Sequence, residues 1–283
     1  MLRAIAERLS RGRSFRYRLP RMYGGCRMYL TPEAGLRYWL PRRALRVDEN
    51  LLSSAAEMVK PGDVVWDVGA NMGLFTFAAA GVAGPNGHVF ALEPDVVMVR
   101  LLRRSARLNP GSAPVEVISC AVSESVSLAR FNIAMRSRSS NYLEGFGMSQ
   151  TGGIRETETV LKVTLDWLAD KIAMPDVVKI DVEGAELDVL RGAVRMLRAC
   201  RPILIFELAA ANWEKVSRLL AELNYTLYDS DQPASHRQPL SRPSYNVLAM
   251  PSPMHGVAGS APGLNTFPEI PDRLDFQTAR HRA

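Results

Sequence analysis

The sequence predicts an α/β fold: a doubly wound, mostly parallel sheet with helices on both faces and an antiparallel edge hairpin. Three observations carry this. Short apolar segments alternate with helical periodicity from residue 64 to residue 223, a pattern that calls for parallel strands covered on both faces. The first segment runs into a glycine-rich turn and then a helix over Val64–Thr76. The last two apolar segments, Tyr225–Tyr228 and Asn246–Met250, have no clear helix between them and pair as a hairpin.

The elements follow in order. Residues 1–23 form a basic arm, and residues 24–47 hold short apolar-aromatic pieces broken by Gly24-Gly25, Pro32, Gly35 and Pro41, a small β-element ahead of the main domain. A helix over 49–59 is closed by the turn Lys60-Pro61-Gly62-Asp63. Strands are expected at Val64–Val68, His88–Leu92, Val115–Ser119, Val177–Val182 and Ile203–Leu208. Helices are expected from Gly73 and over Val96–Leu108, 165–171, Ala185–Leu197 and Trp213–Leu223. Residues 126–163 read as an insertion of short strands with a mobile loop around 136–153. Beyond residue 250, Pro, Gly and Ser recur and periodicity fades. The expected organisation is therefore 1–47 as arm and lead-in, 48–250 as the main domain and 251–283 as a loose tail.

Composition excludes several classes. With 47% hydrophobic and 23% charged residues in 283, the chain is of ordinary globular type, neither fibrous nor wholly disordered. No apolar run approaches the roughly 18 residues a membrane span requires. Cys26, Cys120 and Cys200 are widely spaced and form no CxxC, so a reducing cytoplasmic setting is expected, without disulfides or a cysteine zinc site. The four histidines have no metal-ligand spacing, and His88, at the start of the second strand, reads as structural. Charge is uneven. Residues 1–50 hold twelve Arg, no Lys and four acids, a balance of +8, and the remainder carries −2. Such an arm packs on its own domain or makes weak contact with an anionic membrane surface; nucleic acid is the less favoured partner. A homo-oligomer is a further arrangement that this reading allows.

The loop Asp67-Val68-Gly69-Ala70-Asn71-Met72-Gly73 is the most informative stretch. Gly69 permits a tight turn, and Gly73 permits close approach of backbone or ligand. A dinucleotide fingerprint would need glycine at 69, 71 and 74, but Asn71 and Leu74 occupy two of these places. Glu93 ends the second strand twenty residues past Gly73, where its two oxygens match the vicinal hydroxyls of a ribose. A nucleoside site without a phosphate cradle fits S-adenosylmethionine.

The segments VVWDVGANMGLFTFAAA, GHVFALEPD and VVKIDVEGAELDVLRGA resemble those of the FkbM-type S-adenosylmethionine-dependent methyltransferases, over roughly residues 48–250. The resemblance implies the class I methyltransferase fold with a seven-stranded sheet. It also implies methyl transfer, commonly to a hydroxyl of a sugar, polyketide or other natural product. Carried onto this chain, it places Asp67, Gly69 and Asn71 at the methionine end of the donor, Glu93 at the ribose, and Cys120-Ala121 beside the adenine. An Asp common in the wider fold is missing from that last stretch, so adenine contacts are expected from backbone and apolar groups.

In Val177–Glu186, Lys179 and Asp181 share one strand face. Methyl transfer needs alignment and removal of the acceptor's proton. Asp181 is the first choice for that base or for orienting the acceptor, with Lys179 as its charge partner. Glu207, at the end of a neighbouring strand, is the second choice. A purely structural Lys179–Asp181 pair stays open. A divalent cation on Asp181, Glu183 and Glu207 is a disfavoured alternative. Two alternatives for the whole chain also stay open: an N-methyltransferase acting on a peptide or amide, and a non-catalytic nucleoside-binding protein acting through its arm.

Overall fold

The computed structural model describes residues 2–40, 48–147 and 151–253. Residues 41–47 of the lead-in, 148–150 of the expected mobile loop and the tail from 254 lie outside the described residues. The described residues up to Ser252 belong to one compact unit.

The main sheet has seven strands in the order β12-β13-β11-β10-β3-β4-β5. They are β3 (Val64–Val68), β4 (His88–Leu92), β5 (Val115–Ile118), β10 (Val177–Ile180), β11 (Ile203–Glu207), β12 (Tyr225–Asp229) and β13 (Asn246–Pro251). β3, β4, β5, β10 and β11 run parallel. β13 lies antiparallel to both β11 and β12, so it is inserted between them and β12 is the edge. The expected hairpin pairing is present, with the later strand on the inside.

Strand alternation splits the core into two layers. Val65, Val89, Ala91, Val177 and Ile205 face one layer, and Trp66, Phe90, Leu92, Val178, Ile180 and Phe206 face the other. The first is closed by α2 (Glu49–Met58), α3 (Leu74–Ala83) and α4 (Val96–Ala106). The second is closed by α5 (Leu165–Ala169), α6 (Glu186–Arg191), α7 (Val194–Cys200) and α8 (Trp213–Glu222). Local chemistry sets the helix starts: Asp95 accepts from Val97 N at 2.8 Å and Thr164 from Trp167 N at 2.9 Å. The single helix expected over 185–197 is broken at Gly192. A Cβ there would stand 2.3 Å from Ser123 O, so the chain bends where the insertion crosses it.

The insertion is a four-stranded sheet in the order β6-β9-β7-β8, from β6 (Ala121–Val122), β7 (Ser127–Ala134), β8 (Tyr142–Leu143) and β9 (Ile154–Val163). The arm is folded too. After α1 (Leu2–Ser10), β1 (Phe15–Arg18) pairs antiparallel with β2 (Arg27–Leu30). Leu19, Met28 and Leu30 are buried in the layer that holds α3 and α4. A Cβ on Gly24 would stand 2.7 Å from Gly81 Cα, so the hairpin turn lies directly on α3. Among the described residues no helix is long and apolar enough to cross a membrane.

Candidate functional site

The parallel strands end their carboxyl edge in a cavity of about 640 Å³, within the range of small-ligand sites. Gly69, Asn71, Gly73, Glu93, Cys120, Ala121, Lys179, Asp181 and Glu207 all line it. Glu183 lines it as well, so the structure brings together ten of the eleven site residues singled out in the sequence. Asp67 is the exception.

The loop between β3 and α3 is shaped by positive φ angles at Gly69 (76°), Asn71 (50°) and Gly73 (96°). Gly69 N donates to Leu92 O at 2.9 Å, tying the loop to β4. A Cβ on Gly69 would sit 1.9 Å from Asp181 O, so glycine here is required by the end of β10. At Gly73 a Cβ would meet Leu102 and Phe77 at 2.6 and 2.7 Å. The close approach read from the sequence is therefore to core side chains. Asn71 tolerates its left-handed backbone because its Oδ1 accepts from Met72 N at 2.7 Å.

Glu93 is buried, and each carboxylate oxygen accepts one backbone N–H: Oε2 from Asn71 at 2.7 Å and Oε1 from Asp95 at 2.8 Å. These bonds fix its plane and leave lone pairs on both oxygens. Burial, reinforced by Asp95, pushes its pKa up to about 8. Beyond it, Cys120, Ala121, Phe131 and Leu143 make an apolar wall, the last three from the insertion. Burial also pushes the Cys120 thiol up to about 12, so it is an inert wall group.

Asp67 lies beneath the floor and does not line the cavity, which corrects its expected place at the methionine end. Its Oδ2 accepts from Thr76 Oγ1 at 2.5 Å, and its Oδ1 lies 3.4 Å from Lys179 Nζ. Lys179 continues the chain upward, donating to Gly69 O at 3.1 Å and Asp181 Oδ2 at 3.2 Å. Burial alone would lower the pKa of Lys179, but Asp181 and Asp67 outweigh it and keep the ammonium charged. The Asp181 side chain, 33% exposed, is the end of this chain that reaches the cavity.

Glu207 accepts a hydrogen bond from Tyr245 Oη. Burial and then Asp181 raise its pKa, and burial with Asp181 and Glu207 pushes Glu183 up to about 8. A second cavity of about 400 Å³ shares Asp181, Glu183, Glu207 and Tyr245 with the first and adds Phe146 and Glu186. Among the described residues no group of three or more His, Cys, Asp or Glu is arranged to hold a metal ion.

One cluster escaped sequence reasoning. Arg138, buried in the insertion, lies 3.0 Å from Glu33 and 2.6 Å from Asp95, and Asn141 Nδ2 donates to the same Asp95 at 2.8 Å. Arg138, Ser139, Ser140 and Asn141 line the cavity, as do Ala34, Arg37 and Tyr38 of the lead-in. An Asp directly ahead of a helical run is a cap signal that could have marked Asp95, whereas a lone arginine in an irregular insertion carries none.

The sequence profile of the FkbM methyltransferase domain matches residues 67–231, from within β3 to just past β12. The chain belongs to the FkbM methyltransferase family. It is an S-adenosylmethionine-dependent methyltransferase. Hexuronic acid methyltransferase AglP of Haloferax volcanii is similar to this FkbM chain, 27% identical over 183 residues that cover 64% of this chain and 70% of that protein. Among solved structures, an FkbM methyltransferase from Methylobacillus flagellatus is similar at a TM-score of 0.44 and 16% identity, covering 71% of this chain and 52% of that one. Fibrillarin of Aeropyrum pernix with natively bound S-adenosylmethionine is similar at a TM-score of 0.44 and 13% identity, covering 86% of each chain.

The residues present fit the donor. The fixed, buried carboxylate of Glu93 suits a ribose diol, the loop Gly69–Asn71 suits the amino-acid tail, and the wall of Cys120, Ala121, Phe131 and Leu143 suits a flat base.

Proposed function

We propose that the enzyme methylates an oxygen: a hydroxyl of a sugar, polyketide or other small natural product. The observation that carries this reading is the Asp181 carboxylate, open to both cavities with the Lys179 ammonium 3.2 Å behind it. When bound, S-adenosylmethionine supplies a methyl group already activated by a sulfonium. The chain's own residues align the acceptor and take its proton. Asp181 accepts that proton, Lys179 fixes the carboxylate's position, and Glu207 with Tyr245 forms the neighbouring wall. A polyhydroxylated acceptor suits the polar rim, where Asn50, Ser230, Asp231 and Asn246 line the larger cavity. The hexuronic acid specificity in the name of the Haloferax relative supports a carbohydrate acceptor.

The test is a panel of neutral sugars, uronic acids, hydroxylated polyketides and peptide amides, incubated with enzyme and donor. A mass gain of one CH₂, with an O-methyl signal in the carbon spectrum, is expected from a hydroxylated acceptor. Asp181→Asn should lower turnover on the order of 100-fold while S-adenosylhomocysteine affinity is unchanged. Methylation of the peptide amides alone, or full turnover by Asp181→Asn, would overturn the reading.

A further inference from the structure

The hairpin and α4 join two stretches of sequence that contain no acid. Residues 8–31 hold seven arginines, and residues 96–112 hold four. All eleven are exposed: Arg8, Arg11, Arg13, Arg16, Arg18, Arg21 and Arg27 on the arm, and Arg100, Arg103, Arg104 and Arg107 on α4. The two sets meet. Arg104 lies 4.1 Å above the Tyr29 ring, and Asn109 holds Arg27 through bonds of 2.7 Å to its N–H and its carbonyl. The pairing of Tyr17 with Met28, whose side chain is buried, turns the neighbouring pair Arg18–Arg27 to the outside. On α4, positions 100, 103, 104 and 107 fall on one helical face. Among the described residues none of the eleven is ion-paired.

We infer that this arginine face docks the enzyme on an anionic lipid bilayer. Charge complementarity selects an anionic partner, because guanidinium groups bind phosphate and do so in forked geometry. Apolar side chains within the same segment select the bilayer over a nucleic acid: Met22 is 70% exposed, Leu9 54% and Phe15 37%. Those groups insert below lipid headgroups but gain nothing from a phosphodiester backbone. The face begins at the cavity. α4 starts directly after Glu93 and Pro94, which line it, and Arg100 follows one turn later. Docking therefore sets the donor cavity's rim beside the membrane surface.

Electrostatics supplies most of the affinity, each basic residue near an anionic surface adding to it. Full-length enzyme should sediment with vesicles of phosphatidylcholine mixed with phosphatidylglycerol, and not with phosphatidylcholine alone. Binding should vanish at high salt, as the Debye length shrinks from about 10 Å at 0.1 M to about 3 Å at 1 M. The combined variant Arg100→Glu, Arg103→Glu, Arg107→Glu should lower vesicle partitioning on the order of 100-fold while keeping S-adenosylhomocysteine binding. Met22→Ser should weaken vesicle binding further and leave retention on duplex DNA unchanged. Absence of low-salt binding to the anionic vesicles, equal binding to neutral ones, or tighter binding to duplex DNA than to vesicles at matched salt would overturn the proposal.

Discussion

Lys179 Nζ stands between two carboxylates on the carboxyl half of the sheet, 3.4 Å from Asp67 and 3.2 Å from Asp181. One is fully buried and the other faces the cavity, so a single cation serves the core and the site. Register makes this so: Lys179 pairs with Asp67 across β10 and β3, and Asp181 follows two residues later on the same face.

Removing the cation should therefore damage two things at once. Lys179→Met leaves Asp67 buried beside Thr76 without a counter-charge, a loss of about 3–5 kcal/mol. Denaturant unfolding should show a lowered midpoint for Lys179→Met and substantial recovery when Asp67→Asn is added. Turnover should not recover in the double variant, because Asp181 still lacks its positioning partner. Recovery of both would mean that Lys179 acts only through stability.

Donor binding should depend on pH through Glu93. Its pKa is raised, chiefly by burial, to about 8. The folded, ligand-free protein therefore holds a proton that the unfolded chain releases, and the group's contribution to stability falls as pH rises from the ordinary glutamate range to about 8. Ribose hydroxyls donate best to the ionised carboxylate. S-adenosylhomocysteine affinity should thus rise by up to about tenfold per pH unit below 8, level off above, and be accompanied by proton release. Calorimetry in buffers of different ionisation enthalpy reads that release. Glu93→Gln should flatten the profile and weaken binding by about 1–3 kcal/mol, since its amide turns a donor toward the N–H of Asn71 or Asp95.

Most of the sheet and much of the cavity lining were legible because they are local. Val64–Val68 and His88–Leu92 are short apolar runs between turn residues, and both strands have those bounds. Glu93 was legible because strand end and ligand edge coincide in such sheets. Asp67 was misplaced because one-residue alternation fixes its face but not how far below the rim it sits. The sequence left the arm between packing on its own domain and membrane contact for a related reason. Its charge is visible in sequence, whereas the burial of Leu19, Met28 and Leu30 depends on α3 and α4, far along the chain.

Deleting residues 1–21 tests that burial. It removes β1 from β2 and uncovers the layer beneath. It also removes Gly12 N, which donates to Glu33 Oε1 at 2.6 Å. The truncated enzyme should melt well below the full chain. An unchanged melting temperature would show that the hairpin contributes nothing to the core.

Arg138 offers the sharpest test of how the arm and insertion reach the donor. Asp95 caps α4, gives its own N–H to Glu93, and receives Arg138 and Asn141 on its carboxylate. Glu33 closes the other side of Arg138, its pKa lowered because the Gly12 N–H and Arg138 outweigh burial. Arg138→Met leaves two carboxylates buried without their shared cation, at a cost of about 3–5 kcal/mol. Arg138→Lys keeps the charge but cannot reach both acids in the same forked geometry, and the fold should survive. If the cluster sets the position of Glu93, the Lys variant should raise KM for the donor several-fold with kcat nearly unchanged. A purely structural arginine would lower the melting temperature and leave KM where it was. Steady-state kinetics of Arg138→Lys, run well below its melting temperature, separates the two.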